Sequence, residues 1–112
     1  MSDVPQIDAP EAARRVIDGA LLLDVREPDE WAAGHAAAAS HIPLGDIAAR
    51  LADVPADTAV IAVCRMGGRS QKAAEFLRAN GVDASNLDGG MRAWAAAGLD
   101  VMTDDGRPGT VI

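Results

Sequence analysis

Short apolar runs alternate with amphipathic segments along this chain. The runs at 21–25 and 59–63 are continuous, which is typical of strands that are covered on both faces in a parallel sheet. Apolar residues at helical spacing precede the first run, behind a capping sequence at 8–11, and follow the second run at 73–77. The pattern therefore predicts an α/β domain whose mostly parallel sheet carries helices on both faces.

Turn residues divide the rest of the chain into shorter elements. Glycines and prolines interrupt the apolar pattern between the predicted elements. Residues of these types commonly end helices and strands. The final segment is polar and rich in turn residues, so we expect one domain over 1–102 and a flexible C-terminal tail over 103–112. The predicted helices cover 8–17, 28–33, 46–54, 70–79 and 91–97, and two further strands are expected at 40–43 and 82–87.

The chain is acidic and contains one cysteine. A net charge of −7 over 112 residues disfavours nucleic acid and anionic membrane surfaces as partners. A single cysteine cannot form an intrachain disulfide, and the first residues lack the basic and apolar regions of a signal peptide. The longest stretch without charged residues, 31–45, is too short to span a bilayer. These features predict a cytoplasmic protein.

Cys64 ends the best predicted strand and precedes a turn with two glycines and two arginines. Gly67 and Gly68 permit the dihedrals that direct successive N–H groups inward, and a helix N-terminus follows. Cys64 is favoured as a thiolate by the loop amides, by the helix dipole and by the positive charges of Arg65 and Arg69. It is therefore the predicted nucleophile. The alternative is a buried, inert cysteine beside solvated arginines.

Other chemistry-bearing residues have plainer interpretations. Asp24 and Arg26 follow a neighbouring parallel strand, so they fall at the same sheet edge as Cys64. We favour their pairing with each other, or bracing of the loop, over a catalytic role. Trp31 and Trp94 occupy helical positions and are predicted to lie in the core.

No metal or cofactor is expected. His35 and His41 are the only histidines, and their spacing relative to each other and to Cys64 does not match a zinc site. Gly89 and Gly90 lack a nucleotide-binding pattern and are predicted to make a tight turn between a strand and the last helix.

Four motifs in order give the chain a family resemblance. They are LDVRE at 23–27 with EW at 30–31, GH at 34–35 with HIP at 41–43, the loop CRMGGRS at 64–70, and LDGGM at 87–91 leading to Trp94. Together they resemble the rhodanese-like sulfurtransferases over residues 7–101. The chain departs from the family pattern at 36–39, where four alanines follow His35 and put the local loop conformation in doubt.

The resemblance implies a fold and a site. It implies a small, mostly parallel five-stranded sheet and a loop cysteine that carries sulfur as a persulfide. Carried onto this chain, the catalytic residue is Cys64. Met66, in the middle of the loop, is either a surface residue or one that makes the pocket entrance more apolar. The substrate-binding residues are Arg65, Met66, Gly67, Gly68, Arg69 and Ser70.

Sulfur transfer is therefore the leading hypothesis, from thiosulfate or a similar anionic donor to cyanide, a small thiol or a protein thiol. Mercaptopyruvate and a protein persulfide stay open as donors. One alternative is a persulfide carrier that binds a partner without turnover. Another is a cysteine-based phosphatase, which is disfavoured because such enzymes use Cys-x5-Arg, whereas this loop is Cys-x4-Arg with Ser70 at the phosphatase position.

Overall fold

Five parallel strands form one sheet in the computed structural model, which describes residues 3–112. The sheet order is β1-β5-β4-β2-β3, so β4 lies at the centre. The predicted five-stranded α/β fold is confirmed, although β1 lay outside the strands that the apolar pattern predicted. The strands are β1 (Gln6–Ile7), β2 (Leu21–Asp24), β3 (Ser40–His41), β4 (Val60–Val63) and β5 (Ala84–Leu87).

Helices cover both faces of this sheet. Alternate residues of β4 point to opposite faces: Val60 and Ala62 pack with α3 (Gly68–Ala79), whereas Ile61 and Val63 pack with α1 (Ala9–Ile17) and α4 (Gly90–Ala96). Cys64 continues the alternation onto the face of α3. No helix within residues 3–112 combines the length and apolarity needed to cross a membrane. The helices are α1 (Ala9–Ile17), α2 (Pro28–Ala33), α3 (Gly68–Ala79) and α4 (Gly90–Ala96).

The first helix begins as its sequence predicts. The Asp8 side chain accepts a hydrogen bond from the Glu11 backbone N–H at 2.9 Å, which satisfies one of the free donors of the first turn. Ile17, although it is apolar and follows Ala13 by four residues in the predicted helix over 8–17, is 84% exposed. It is the last residue of the helix, beyond the part that packs against the sheet.

The helix predicted over 46–54 is wrong. The structure has two 3-10 turns instead, Leu44–Asp46 and Leu51–Asp53. Most backbone hydrogen bonds here connect residues three apart, such as Ile47 N–H to the Leu44 carbonyl oxygen at 3.3 Å. Ile47 and Val54 are nevertheless buried, so the apolar spacing identified the core residues but not the winding of the backbone.

A buried ion pair lies where β2 ends. Asp24 and Arg26 are both 0% exposed, and Arg26 Nη2 donates to Asp24 Oδ2 at 2.7 Å and to the Gly34 carbonyl oxygen at 2.8 Å. The predicted pairing of these two residues is confirmed. It links the end of β2 to the chain that follows α2, and removing one partner would leave a charge buried without compensation.

The two tryptophans differ in their surroundings. Trp94 is 4% exposed and belongs to the core, as predicted. Trp31 is only partly buried, so its assignment to the core is wrong. Its ring stacks on His35, with ring centroids 3.5 Å apart, and on His41 at 4.8 Å.

Hydrogen bonds hold the C-terminal segment on the domain. Met102 forms bridges with His35 and with Pro108, and the Thr110 N–H donates to the Ala33 carbonyl oxygen at 2.9 Å. His35 Nε2 lies 2.8 Å from a carboxylate oxygen of Asp104. These contacts give 103–112 a docked position, and its flexibility in solution stays a prediction.

Candidate active site

The cysteine lies between the centre of the sheet and a helix N-terminus. It directly follows β4, and α3 begins at Gly68, two residues before the predicted start at Ser70. Cys64 is 1% exposed, whereas Met66 is 60% exposed at the crest of the loop. The cysteine is therefore almost completely buried, whereas the middle of the loop is exposed.

Hydrogen-bond donors surround the sulfur. Cys64 Sγ accepts from the Gly67 backbone N–H at 3.1 Å and lies 3.2 Å from the Ser70 hydroxyl oxygen. Burial raises the pKa of the thiol, but the Ser70 hydroxyl and the backbone N–H groups of Ser70, Gly67 and Met66 lower it. The donors prevail, so the pKa of Cys64 lies below its ordinary value.

Only one of the two loop glycines needs to be glycine. Gly67 has φ +115°, a left-handed conformation that other residues rarely adopt. Gly68 has no positive φ, and a Cβ built on it meets no atom within 4 Å. The idea that both glycines shape the cradle is therefore wrong for Gly68, which simply begins α3.

Helix α4 holds the first two residues of the loop through backbone hydrogen bonds. The N–H groups of Met91 and Arg92 donate to the carbonyl oxygens of Cys64 and Arg65, at 2.8 Å and 3.1 Å. A Cβ on Gly90 would lie 2.5 Å from both of these oxygens. The sequence indicated a tight turn at Gly89-Gly90. In the structure this turn also lets α4 approach the loop closely.

The loop arginines have different surroundings. Arg69 donates through both terminal nitrogens to Glu30 of α2, at 2.7 and 2.8 Å. This interaction is the main reason why the pKa of Glu30 is lowered to about 2, although burial acts in the opposite direction. The same interaction raises the pKa of Arg69. Arg65 is exposed, and no ion pair within residues 3–112 includes it.

A buried amide completes the site and was missed. Asn86 is 4% exposed on β5, and its Oδ1 lies 2.6 Å from the Ser70 hydroxyl oxygen. Its Nδ2 donates to Gln6 Oε1 at 2.8 Å and to the Gly67 carbonyl oxygen at 3.2 Å. Its polar side chain inside the strand predicted over 82–87 was the available signal.

Other sequence candidates lie elsewhere. Asp24 is opposite Val63 in the β2–β4 register, so the predicted convergence at one sheet edge holds for the backbone. Among the described residues, however, its carboxylate accepts hydrogen bonds only from Arg26. Within residues 3–112 no three His, Cys, Asp or Glu side chains gather as a metal site would require. The expectation of no metal stays a prediction.

Comparison with known proteins gives consistent matches. The profile of the Rhodanese-like domain matches residues 8–97. A sulfurtransferase of Allochromatium vinosum is 36% identical over 106 residues, covering 92% of this chain and 99% of its own. The thiosulfate sulfurtransferase GlpE of Pseudomonas aeruginosa is 38% identical over 96 residues, covering 84% of this chain and 87% of its own.

Solved structures agree with the fold. A rhodanese-related protein from Thermoplasma volcanium has a TM-score of 0.84 at 29% identity, covering 89% of this chain and 99% of its own. A rhodanese-like domain protein from Staphylococcus aureus has a TM-score of 0.78 at 34% identity, covering 87% and 97%.

We predict that Gly90→Ala destabilises the protein far more than Gly81→Ala. Both glycines have positive φ, +61° and +84°, but a Cβ at Gly81 meets nothing within 4 Å. Gly81→Ala should therefore cost only the backbone term, about 1 to 2 kcal/mol, and Gly90→Ala about 3 to 5 kcal/mol. Urea unfolding of both variants measures the difference, and equal losses would mean that the contact with the loop carbonyls is unimportant.

Proposed function

The chain belongs to the rhodanese-like sulfurtransferase family, and on that premise we propose that it is a thiosulfate sulfurtransferase working through a Cys64 persulfide. The sulfane sulfur comes from thiosulfate or a similar anionic donor and passes to a thiophilic acceptor such as cyanide or a thiol. The observation that carries the proposal is the sulfur of Cys64 among hydrogen-bond donors that lower its pKa despite its burial.

In the first half-reaction the Cys64 thiolate attacks the outer sulfur of thiosulfate. A new S–S bond forms, the S–S bond of thiosulfate breaks, and sulfite leaves with the electron pair. The proton of the thiol goes to solvent before the attack, and the lowered pKa of Cys64 favours this loss. The product is a persulfide anion on Cys64.

The same donors support the loaded state. A persulfide extends one sulfur beyond Sγ, and the negative charge then lies further toward the loop amides. The cradle is fixed on both sides, because Gly67 is held through its carbonyl oxygen by Asn86 and the first loop carbonyls are held by α4. Donors that are already oriented stabilise this charge without reorganising.

In the second half-reaction the acceptor attacks the outer sulfur of the persulfide. The S–S bond to Cys64 breaks, its electron pair returns to Cys64 as a thiolate, and the acceptor leaves with the extra sulfur. A reducing compartment such as the cytoplasm belongs to this proposal, because Cys64 must stay reduced between cycles. Both displacements at sulfur proceed without a cofactor.

We expect thiosulfate to add one sulfur atom to the wild-type protein and none to Cys64→Ser. Serine keeps the size of the side chain but cannot carry a persulfide, so the variant is the matched control. Intact-mass analysis before and after cyanide measures loading and discharge. A mass gain that persists in Cys64→Ser would mean that the added sulfur is not carried on Cys64 and would contradict the proposal.

Sulfur loading, measured together with turnover and phosphate release, separates the alternative functions. Steady turnover of thiosulfate with cyanide or a small thiol supports the enzyme. Loading without turnover, followed by release only to a protein thiol, would identify a carrier. Phosphate release from an aryl phosphate without any sulfur loading would identify a phosphatase and overturn the proposal.

We predict that Arg69→Ala lowers kcat/KM for thiosulfate about tenfold, whereas Arg78→Ala leaves it within about twofold. Removing Arg69 leaves the Glu30 carboxylate without its partner beside the loop, where it repels the dianion. Arg78 lies near the other end of α3, beside Asp83.

The double variant Arg69→Ala with Glu30→Gln tests this explanation. It removes the unpaired carboxylate, so it should recover part of the lost activity. Equal effects of Arg69→Ala and Arg78→Ala in steady-state assays would mean that charge at the loop is incidental.

A further inference from the structure

Two arginines lie together without carboxylate partners beside the loop. In residues 3–112 the ion pairs include every lysine and arginine side chain except Arg65, Lys72 and Arg92. Arg65 and Arg92 line the same cleft, with a volume of about 440 Å³. The contact between α4 and the loop brings them together, because Arg92 N–H donates to the Arg65 carbonyl oxygen.

The chemistry of this cleft indicates an organic anion. No acidic residue is among its lining residues, although the chain carries a net charge of −7. Apolar side chains of Ala95, Val101 and Val111 form part of its wall. Thiosulfate is much smaller than this volume and has no carbon skeleton, whereas an anion of small-peptide size would contact both the charges and the wall.

We propose that the cleft between Arg65 and Arg92 binds the carboxylates of the sulfur acceptor, a thiol of small-peptide size. The inference rests on the proposed function and adds the class of acceptor to it. Arg65 directly follows Cys64 in the chain, so the cleft adjoins the start of the loop, and the proposal requires the thiol of the bound acceptor to reach the persulfide from there. The thiolate of the acceptor then attacks the persulfide as described above.

The test measures discharge of the loaded protein by three acceptors. Glutathione carries carboxylates, its diethyl ester does not, and cyanide is too small to fill the cleft. Arg92→Gln should slow discharge by glutathione about fivefold to twentyfold and leave the other two rates within about twofold. Lys72→Gln is the matched control, because it removes an unpaired charge outside the cleft.

The outcomes distinguish this inference from the proposed function. Equal slowing for all three acceptors, or the same effect from Lys72→Gln, would overturn the cleft assignment while leaving sulfur transfer intact. Failure of the wild-type protein to load would overturn the function instead. In that case a chemical-shift titration with S-methylglutathione still tests the cleft, since binding that is unchanged by Arg92→Gln contradicts it.

A second inference comes from the single proton of the Ser70 hydroxyl. Ser70 is fully buried, and its oxygen lies 2.6 Å from Asn86 Oδ1 and 3.2 Å from Cys64 Sγ. Asn86 cannot turn its amide around, because its Nδ2 faces the Gly67 carbonyl oxygen, which only accepts. Asn86 Oδ1 and a charged sulfur therefore compete for the same proton.

The structure assigns Asn86 as a positioning residue that holds the Ser70 hydroxyl until the sulfur becomes charged. With a neutral thiol, the S–H donates to Ser70 and the hydroxyl donates to Asn86. With a thiolate, the hydroxyl turns to the sulfur and leaves Asn86 Oδ1 without that donor. Arg69, paired with Glu30, is the charged side chain that acts on the sulfur through space.

Replacing Asn86 by leucine tests this competition. Without the acceptor the hydroxyl is free for the sulfur, so the pKa of the Cys64 thiol should fall by roughly 0.5 to 1. The pH dependence of alkylation by iodoacetamide measures it. In a Ser70→Ala background the same replacement should cause no shift, which a merely structural role would not predict.

Controls address the fold of these variants. Ser85→Ala changes the neighbouring buried residue on β5 and should leave the thiol pKa unchanged. Asn86→Ala replaces Asn86→Leu if leucine prevents folding, as judged by thermal unfolding. An unchanged or higher thiol pKa without Asn86, or a shift that persists in Ser70→Ala, would overturn the assignment.

Discussion

The close approach of α4 to the loop is the constraint on which the site depends. Because Gly90 has no side chain, the backbone of α4 can contact the backbone of the loop. Two successive N–H groups of α4 therefore donate to the carbonyl oxygens of Cys64 and Arg65. With these carbonyls directed toward α4, the loop amides are free to face the sulfur. A side chain at Gly90 would separate the two segments and release both the cradle and the cleft that Arg65 shares with Arg92.

Most of the basic side chains that the structure describes in this acidic protein are paired with a nearby carboxylate. The Asp24–Arg26 pair is fully buried and also bonds to the Gly34 carbonyl oxygen, so it joins elements instead of serving chemistry. Glu30 holds Arg69 at the rim of the loop in a similar way. The guanidinium groups of Arg65 and Arg92 have no carboxylate partner among the described residues, although acidic residues are in excess. Their unpaired charge therefore points to a ligand.

Sequence reasoning identified what depends on local pattern. The apolar runs predicted β2 and β4, and the cap at Asp8 predicted α1, because strand burial and helix capping are determined by residues near in sequence. The loop between β4 and α3 was found in the same way. The 3-10 turns were missed because apolar spacing fixes which residues are buried, such as Ile47, and not the hydrogen-bond pattern between them.

Contacts between distant residues could not be predicted in this way. Gln6 and Asn86 are 80 residues apart, and Arg69 and Glu30 are 39 apart, so no spacing rule relates them. The two-residue strand β1 carries too short a pattern to recognise, yet its pairing with β5 places Gln6 opposite Asn86. The residues that orient the site are thus supplied by the sheet order rather than by the motif around Cys64.

Burial and hydrogen bonding act in opposite directions on the central sulfur. Burial alone favours the neutral thiol, and it is the largest single influence on the pKa of Cys64. The combined donors outweigh it only because they are numerous and point at one atom. A shared donor lowers the pKa of the thiol less than a dedicated one, since the Ser70 proton is withdrawn from Asn86 whenever it serves the sulfur. The acidity of the thiol is therefore set by competition within the buried network as much as by the loop itself.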